Sequence, residues 1–489
     1  MDAKLSKIDE LSNFLEDKDA VARDLLSLSG KFQLGRIAKN AGFAKEKGVP
    51  CKFLLLYLLL IRICKITIFS FFKVHFFGLL DSSIGKNCFY RFINNERYDW
   101  RKLQYGVAKS YVKNVEKETS GDPTCKHDVE KLKFFIADDT TTQKTGKKME
   151  GIGKVYDHTT GGHVLGYKVQ ALSYFDGKGF IPVDNSIHIE KRKDGKQGMS
   201  KKELQKRFSK KRDPKSPGHK RVAESKEEKP KTLIQMVKRA WKNGFHAAYL
   251  LIDSWYDGLE FIREIRKVGN GALHILCMAK NGNRKYTDGD RHHTVKQMIV
   301  LNERHAKPHR KYKCLFFIKD VMLDDIPVRL FIIKYGRKRE WNVLLTTDRT
   351  LTFVKAFEYY QIRWNTEVMF RECKQHLGLG HCQSNDFDAL VADTTLAFIT
   401  YIMLAFYKRI NEYETMGELF RSLQEEVFAL TLWQRFLPIV ERILRDLCSL
   451  LEIDYDETMR TICLDNTKAT RILHMLRAAD EVDSCKSAA

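Results

Sequence analysis

The chain has 489 residues, is 43% hydrophobic and 30% charged, and contains only 9 prolines and 29 glycines. This composition belongs to a globular protein of about two to four structural units and excludes disordered, collagen-like and low-complexity architectures. Its 85 basic residues against 62 acidic ones give a net charge of +23, an excess that points to a polyanionic partner, nucleic acid first. The eleven cysteines form no CxxC pair, which argues for free thiols in a reducing compartment and against a disulfide framework or zinc ribbon.

Residues 1 to about 125 read as helical. The apolar stretch from Phe53 to Leu80 is interrupted by Arg62, Lys65 and Lys73, leaving at most nine uncharged residues in a row. A membrane span needs about 20 predominantly apolar residues, so this is expected to be buried core helix. A turn at 82–87 then feeds Cys88 to Asn95, a short helix mixing aromatic and basic residues, as suits contact with a DNA groove or phosphates.

Near 131 the pattern changes to strands. Leu132 to Ala137 is an apolar run ending in Asp138-Asp139, and His163 to Phe175 and Gly179 to Ile189 follow as strands around the turn 176–179, together forming a β-meander. Residues 191–231 hold 17 Lys/Arg and 6 Asp/Glu with several prolines. They read as a basic loop that would strengthen DNA binding by counterion release. Leu233 to Asn243 reads as helix, Ala247 to Ile252 as a buried strand ending in Asp253, Gly258 to Val268 as helix, and His274 to Ala279 as another strand. From 280 to about 350 the pattern is β-rich, with strands at 313–319, 328–335 and 341–347. From Phe353 onward it is helical, and residues 412–489 are acidic, with 15 acids against 9 bases.

Two acids thus stand at the ends of apolar strands, Asp139 (or its neighbour Asp138) and Asp253. The helix predicted from Phe353 adds Tyr360, Arg363, Glu367, Arg371 and Lys374, which share a face within an arc of about 80°. That face shows one carboxylate among three cations and a phenol. Spacing alone also allows an exposed face of helical ion pairs.

The spacing Tyr360-x2-Arg363-x3-Glu367-x6-Lys374 resembles the Tyr-Arg-Glu-Lys signature of DDE transposases of bacterial insertion-sequence family 4. Asp139-Thr140-Thr141 is similar to that family's first-aspartate motif, Asp253-Ser254-Trp255-Tyr256 to its second, and Trp364 follows the signature arginine as in some members. The resemblance implies an α/β fold: a ribonuclease H-like catalytic core interrupted by a β-rich insertion, with helical N-terminal and C-terminal regions. On this reading residues 1–125 form the DNA-binding region, 126–279 and 351–411 the core, 280–350 the insertion, and 412–489 an acidic helical end.

It further implies that Asp139, Asp253 and Glu367 are catalytic and hold two Mg²⁺ ions, for which Mn²⁺ can substitute. Asp139 is preferred to Asp138 because Thr140-Thr141 follow it as in the family motif. Three clustered carboxylates would repel one another without such cations, and a metal pair suits in-line phosphoryl displacement. Arg363, Lys374, Tyr360 and Arg371 would bind DNA phosphates, and Trp341 resembles the tryptophan that receives a flipped base. The implied activity is cut-and-paste transposition by strand cleavage and 3′-hydroxyl strand transfer. The implied partners are double-stranded DNA, as element ends and target, and a second copy of the chain, in the bacterial cytoplasm with no membrane attachment. A metal-dependent nuclease that cuts without joining, and an inactive DNA-binding descendant of a transposase, are the alternatives.

Overall fold

The computed structural model describes residues 28–63, 65–73, 85–119, 132–190, 202–203, 207–336 and 340–410, with a few positions between 419 and 457. The acidic end, the segment 74–84 and the first part of the basic stretch lie outside them. The chain divides into two compact units, one of Met1–Leu26, Phe72–Ile84 and Ser422–Ala489, the other of Ser27–Phe71 and Gly85–Arg421. All elements below whose packing is given belong to the second.

That unit begins with helices α1 (Leu34–Asn40), α2 (Cys51–Ile63), most of α3 (Ile68–Lys73), α4 (Lys86–Ile93) and α5 (Trp100–Thr119). The apolar stretch that superficially resembles a membrane span is therefore broken after Ile63. Within α2, Leu54, Leu55, Leu58 and Leu59 are buried, as expected of a core helix.

The strands follow: β1 (Phe134–Gln143), β2 (Gly153–Asp157), β3 (Gly162–Phe175) and β4 (Phe180–His188). Here β3 pairs antiparallel with β1 on one side and with β2 and β4 on the other, which is the expected meander. Helices α6 (Pro217–Ser225) and α7 (Lys229–Lys242) lead to β5 (Tyr249–Ile252), and α8 (Leu259–Arg266) to β6 (His274–Ala279). Strands β1, β5 and β6 run parallel, β5 lying between the other two. The architecture is mixed α/β, consistent with a ribonuclease H-like nuclease.

The basic stretch differs from expectation beyond residue 207. A loop was expected, yet α6 is a capped helix with Pro217 in its first turn and Ser216 accepting from the His219 amide. Lys210, Arg212 and Arg221 are paired internally, while Lys211, Lys215 and Lys220 are exposed. Arg212 Nη2 donates to Glu150 Oε2 at 2.5 Å and Arg212 Nε to Asp388 Oδ2 at 3.0 Å, while Lys210 Nζ binds Asp386 and Asp388, both at 2.7 Å. Arg221 donates to Asn185 and Glu224. Buried charges persist only when paired this way, so charge density alone does not tell which cations of this segment face solvent.

After β6 come β7 (Lys285–Asp288), β8 (Arg291–Thr294), α9 (Val295–Asn302), β9 (Lys307–His309), β10 (Cys314–Leu323), β11 (Ile326–Tyr335) and β12 (Trp341–Thr346). These strands do not form a sheet of their own. β12 pairs antiparallel with β6, Val343 opposite Ala279 and Thr346 opposite Leu276, so β12, β11 and β10 continue the core sheet. Among the described residues twelve strands join one sheet.

Helices α10 (Phe353–Gln361), α11 (Trp364–His376) and α12 (Phe387–Ile410) close the described chain. α12 is the one described helix long and apolar enough to cross a bilayer, and it is mostly buried, packing Phe406 against Phe32 and Tyr111. α10 covers the sheet's centre. Phe353 and Ala356 join Phe134, Ile136, Tyr249, Leu251, Leu276, Phe331 and Leu344 in one buried cluster.

Candidate functional site

Alternation along β1 decides where its two acids go. Successive side chains on a strand point to opposite faces, and Phe134 and Ile136 lie in the cluster beneath α10. Asp138 shares their face. Arg363, the residue preceding α11, donates from Nη1 to Asp138 Oδ2 at 2.6 Å and from Nη2 to Glu367 Oε1 at 2.7 Å. Asp139 is held elsewhere: Lys229 Nζ lies 2.6 Å from its Oδ2 and Lys168 Nζ 3.4 Å from its Oδ1.

Asp253 follows β5 directly and caps a single turn at Ser254–Tyr256, accepting from the Trp255 amide at 2.9 Å. In the parallel register Phe134 faces Tyr249 and Ile136 faces Leu251. Continuing it by two residues sets Asp253 beside Asp138. The strand-end expectation thus holds for Asp253, whereas Asp138 and Asp139 sit inside a longer strand whose polar half, Thr140 to Gln143, still pairs with β3.

The acids feel one another. Burial pushes the Asp138 carboxyl up to about 7, against the pull of Arg363 and with the help of Asp139 and Asp253. Burial likewise raises Asp253, the Trp255 amide relieving it in part and Asp139 adding to it. Burial would raise Asp139 too, but Lys229 and Lys168 outweigh it and hold this carboxyl below its usual range. Arg363 is held above the ordinary arginine value: burial opposes its charge, and Asp138, Tyr360 and Glu367 more than restore it.

The helix expected from Phe353 is two helices. A tightened turn at Ile362–Arg363, with helical backbone angles at both residues, separates α10, which carries Tyr360, from α11, which carries Glu367, Arg371 and Lys374. Tyr360 packs partly buried against the core cluster, its ring centroid 5.9 Å from the Arg363 guanidinium carbon. Arg371 is exposed. Lys374 is half-buried, and its ammonium is lowered by burial despite Asp157 nearby. Trp341 is 9% exposed, edge-on to Phe317 at 5.6 Å with Lys334 Nζ 5.6 Å from its ring.

Two residues at this site, Lys168 and Lys229, were not singled out from sequence, whereas Trp255 and Trp364 entered only as parts of motifs. Lys168 and Lys229 neutralise Asp139, and their signal was a lysine within an otherwise apolar strand and another at a helix start. Trp255 and Trp364, 55% and 60% exposed, are the two exposed tryptophans among the described residues. Lys229 Nζ and Lys280 Nζ lie 5.0 and 5.3 Å from the Trp255 ring centroid.

The donors suit a hard divalent cation. Asp138, Asp253 and Glu367 offer only carboxylate oxygen, and the first two repel each other in a buried setting that a cation would relieve. Among the described residues no three acidic, histidine or cysteine side chains already stand close enough together to hold an ion. Arg363 occupies the bonding positions of Asp138 and Glu367 instead.

Residues 218–403 match a family model described as a transposase DDE domain, and residues 80–272 match one described as a DDE superfamily endonuclease. No curated protein matches the chain. The two family matches overlap within the segment that carries β5 and Asp253, jointly reach across the acids of β1 and α11, and support a DDE-type transposase.

Proposed function

We propose that the chain catalyses cut-and-paste DNA transposition, cleaving strands at element ends and transferring the freed 3′-hydroxyl into target DNA, and that it resembles insertion-sequence family 4 in doing so. The observation that carries this reading is the meeting of Asp138, Arg363 and Glu367 beside Asp253, on elements adjacent in space but distant in sequence.

On this reading Asp138, Asp253 and Glu367 hold the metal. Asp138 takes the place for which the Asp-Thr-Thr motif favours Asp139, because it shares the face and register of Asp253. Bound there, Mg²⁺ supplies activation of water or a 3′-hydroxyl and stabilisation of the leaving oxygen. Asp139, paired with two lysines, keeps Lys168 and Lys229 beside the site. Arg363 exchanges its two carboxylate bonds for a phosphate, which its planar fork accepts bidentately. Lys374 and Arg371 add point charges along α11, and the Tyr360 hydroxyl donates to a phosphate oxygen. Two element ends must be held together, which calls for a second copy of the chain.

The test is Mg²⁺-dependent cleavage and joining of DNA carrying the element's ends, comparing wild type with Glu367→Gln. End-specific cutting and joining that is lost in the variant, with DNA binding retained, supports the proposal. Cutting without joining by wild type would leave a nuclease of the same architecture, and equal cutting by the variant would remove Glu367 from the site.

A further inference from the structure

The exposed indole of Trp255 has no structural task that its position explains. Large aromatic side chains dominate cores because exposing them wastes apolar area. Here Trp100 and Trp341 are buried, while Trp255 is 55% exposed two residues after Asp253. It stands just beyond the carboxyl end of β5, and Lys280 follows the carboxyl end of the neighbouring parallel strand β6. Crevices outside the carboxyl ends of parallel strands are where open α/β sheets place their ligands. Lys229, at the start of α7, completes the group by bonding Asp139 and approaching the same ring.

An indole face with two ammonium groups about it is poor at holding a protein side chain and well suited to a nucleotide. A base stacks on the ring regardless of its identity, and the exposed Lys280 meets a neighbouring phosphate while Lys229, held by Asp139, flanks the ring. In duplex DNA base faces are covered by their neighbours, so the ring selects an unpaired base.

We propose that Trp255, with Lys280 and Lys229, forms a stacking platform for an unpaired nucleotide of the DNA strand next to the scissile phosphate. This rests on the nuclease reading above, since Asp253 places the platform beside the metal-holding acids. The Trp255 amide, not its ring, bonds Asp253, so changing the side chain leaves that bond in place.

The experiment uses the full chain in metal-free buffer, where no strand is cut. The probes are a blunt duplex and the same duplex with a single-stranded overhang carrying 2-aminopurine, whose fluorescence is quenched by stacking. Wild type is expected to prefer the overhang probe and to quench it. Trp255→Ala is expected to lose about 5- to 100-fold of that preference along with the quenching. Trp255→Phe should recover most of both, and Lys280→Ala should weaken overhang binding while leaving quenching in the bound complex. Blunt-duplex affinity should be the same for wild type and Trp255→Ala.

Equal preference and quenching in Trp255→Ala would overturn the platform, as would an equal loss on both probes. Cleavage by wild type in Mg²⁺ separates the two readings. Cutting with no role for Trp255 removes the platform alone, whereas quenching without cutting removes the nuclease reading and leaves a nucleotide-binding surface.

Discussion

Asp138 and Asp139 are neighbours in sequence and occupy different electrostatic settings, which makes their separate substitution informative. Asp138 is raised to about 7 by burial and faces Arg363, whereas Asp139 is satisfied by two lysines. Asp138→Asn is expected to reduce Mg²⁺-dependent cleavage about a thousandfold or more. Asp139→Asn, which frees Lys168 and Lys229 without touching a ligand, should cost about 10- to 100-fold. Single-turnover cleavage of both variants decides the order, and the reverse order would restore the Asp-Thr-Thr assignment. A second residue sets a pH dependence of stability. His188 lies in a buried network with Ser186, Gln170 and Thr232, and burial lowers it to about 4 from an ordinary 6.5. Between those values the unfolded chain binds the proton that the folded chain refuses, so stability falls as pH drops from 6.5 toward 4. The loss amounts to about 3 kcal/mol at most. Chemical denaturation at stepped pH should show this slope in wild type and its absence in His188→Gln.

Elements were legible in the sequence where periodicity was strong and misread where charge or length misled. The meander, β5 ending at Asp253, and the strands near 314–346 follow from apolar runs bounded by turn residues. Two features did not. The division between α10 and α11 leaves no Gly or Pro to read, because Ile362 and Arg363 keep helical backbone angles and only tighten their bonds to Tyr359 and Tyr360. The union of β12 with β6 is a long-range pairing that no local pattern encodes. The site was legible as residue types, the Tyr-Arg-Glu-Lys spacing and the strand acids, but the partners of each acid depended on which face of β1 met which helix. The described part of the basic stretch shows the same limit, and it carries a prediction. Asp184 on β4 is fully buried, accepting from Arg101 and Arg239 and from the Tyr105 hydroxyl, with Glu224 sharing the arginines. This cluster joins α5, β4, α6 and α7. Burial alone would raise Asp184, yet Arg101, Arg239 and Arg221 hold it at about 2. Asp184→Asn leaves three arginines facing one glutamate and should lower stability by about 3–5 kcal/mol, as breaking a buried ion pair does. A shift of the urea midpoint measures it, and a change within about 0.5 kcal/mol would mean that water reaches the cluster.

At the scale of the molecule, the +23 charge and the internal ion pairs together determine how binding should respond to salt. Neutralising each phosphate releases counterions, so the logarithm of the DNA affinity falls linearly with the logarithm of salt concentration, at about 0.9 per phosphate contacted on a duplex. Arg101, Lys210, Arg212, Arg221 and Arg239 are committed to Asp184, Glu224, Glu150, Asp386 and Asp388, so they contribute stability and not phosphate contacts. The slope must instead come from cations left near the surface, including Arg371 on α11 and Lys280 after β6. Arg371→Ala and Lys280→Ala are each expected to flatten the slope by about one on a DNA that each contacts, whereas Trp255→Ala should lower overhang affinity at every salt concentration and leave the slope unchanged, because stacking releases no ion. Titration of an overhang duplex across a salt series, in metal-free buffer, distinguishes the two kinds of contact. A flatter slope in Trp255→Ala would mean that the indole acts by holding its lysines in place, and an unchanged slope in both cation variants would move the DNA track away from the carboxyl ends of β5 and β6.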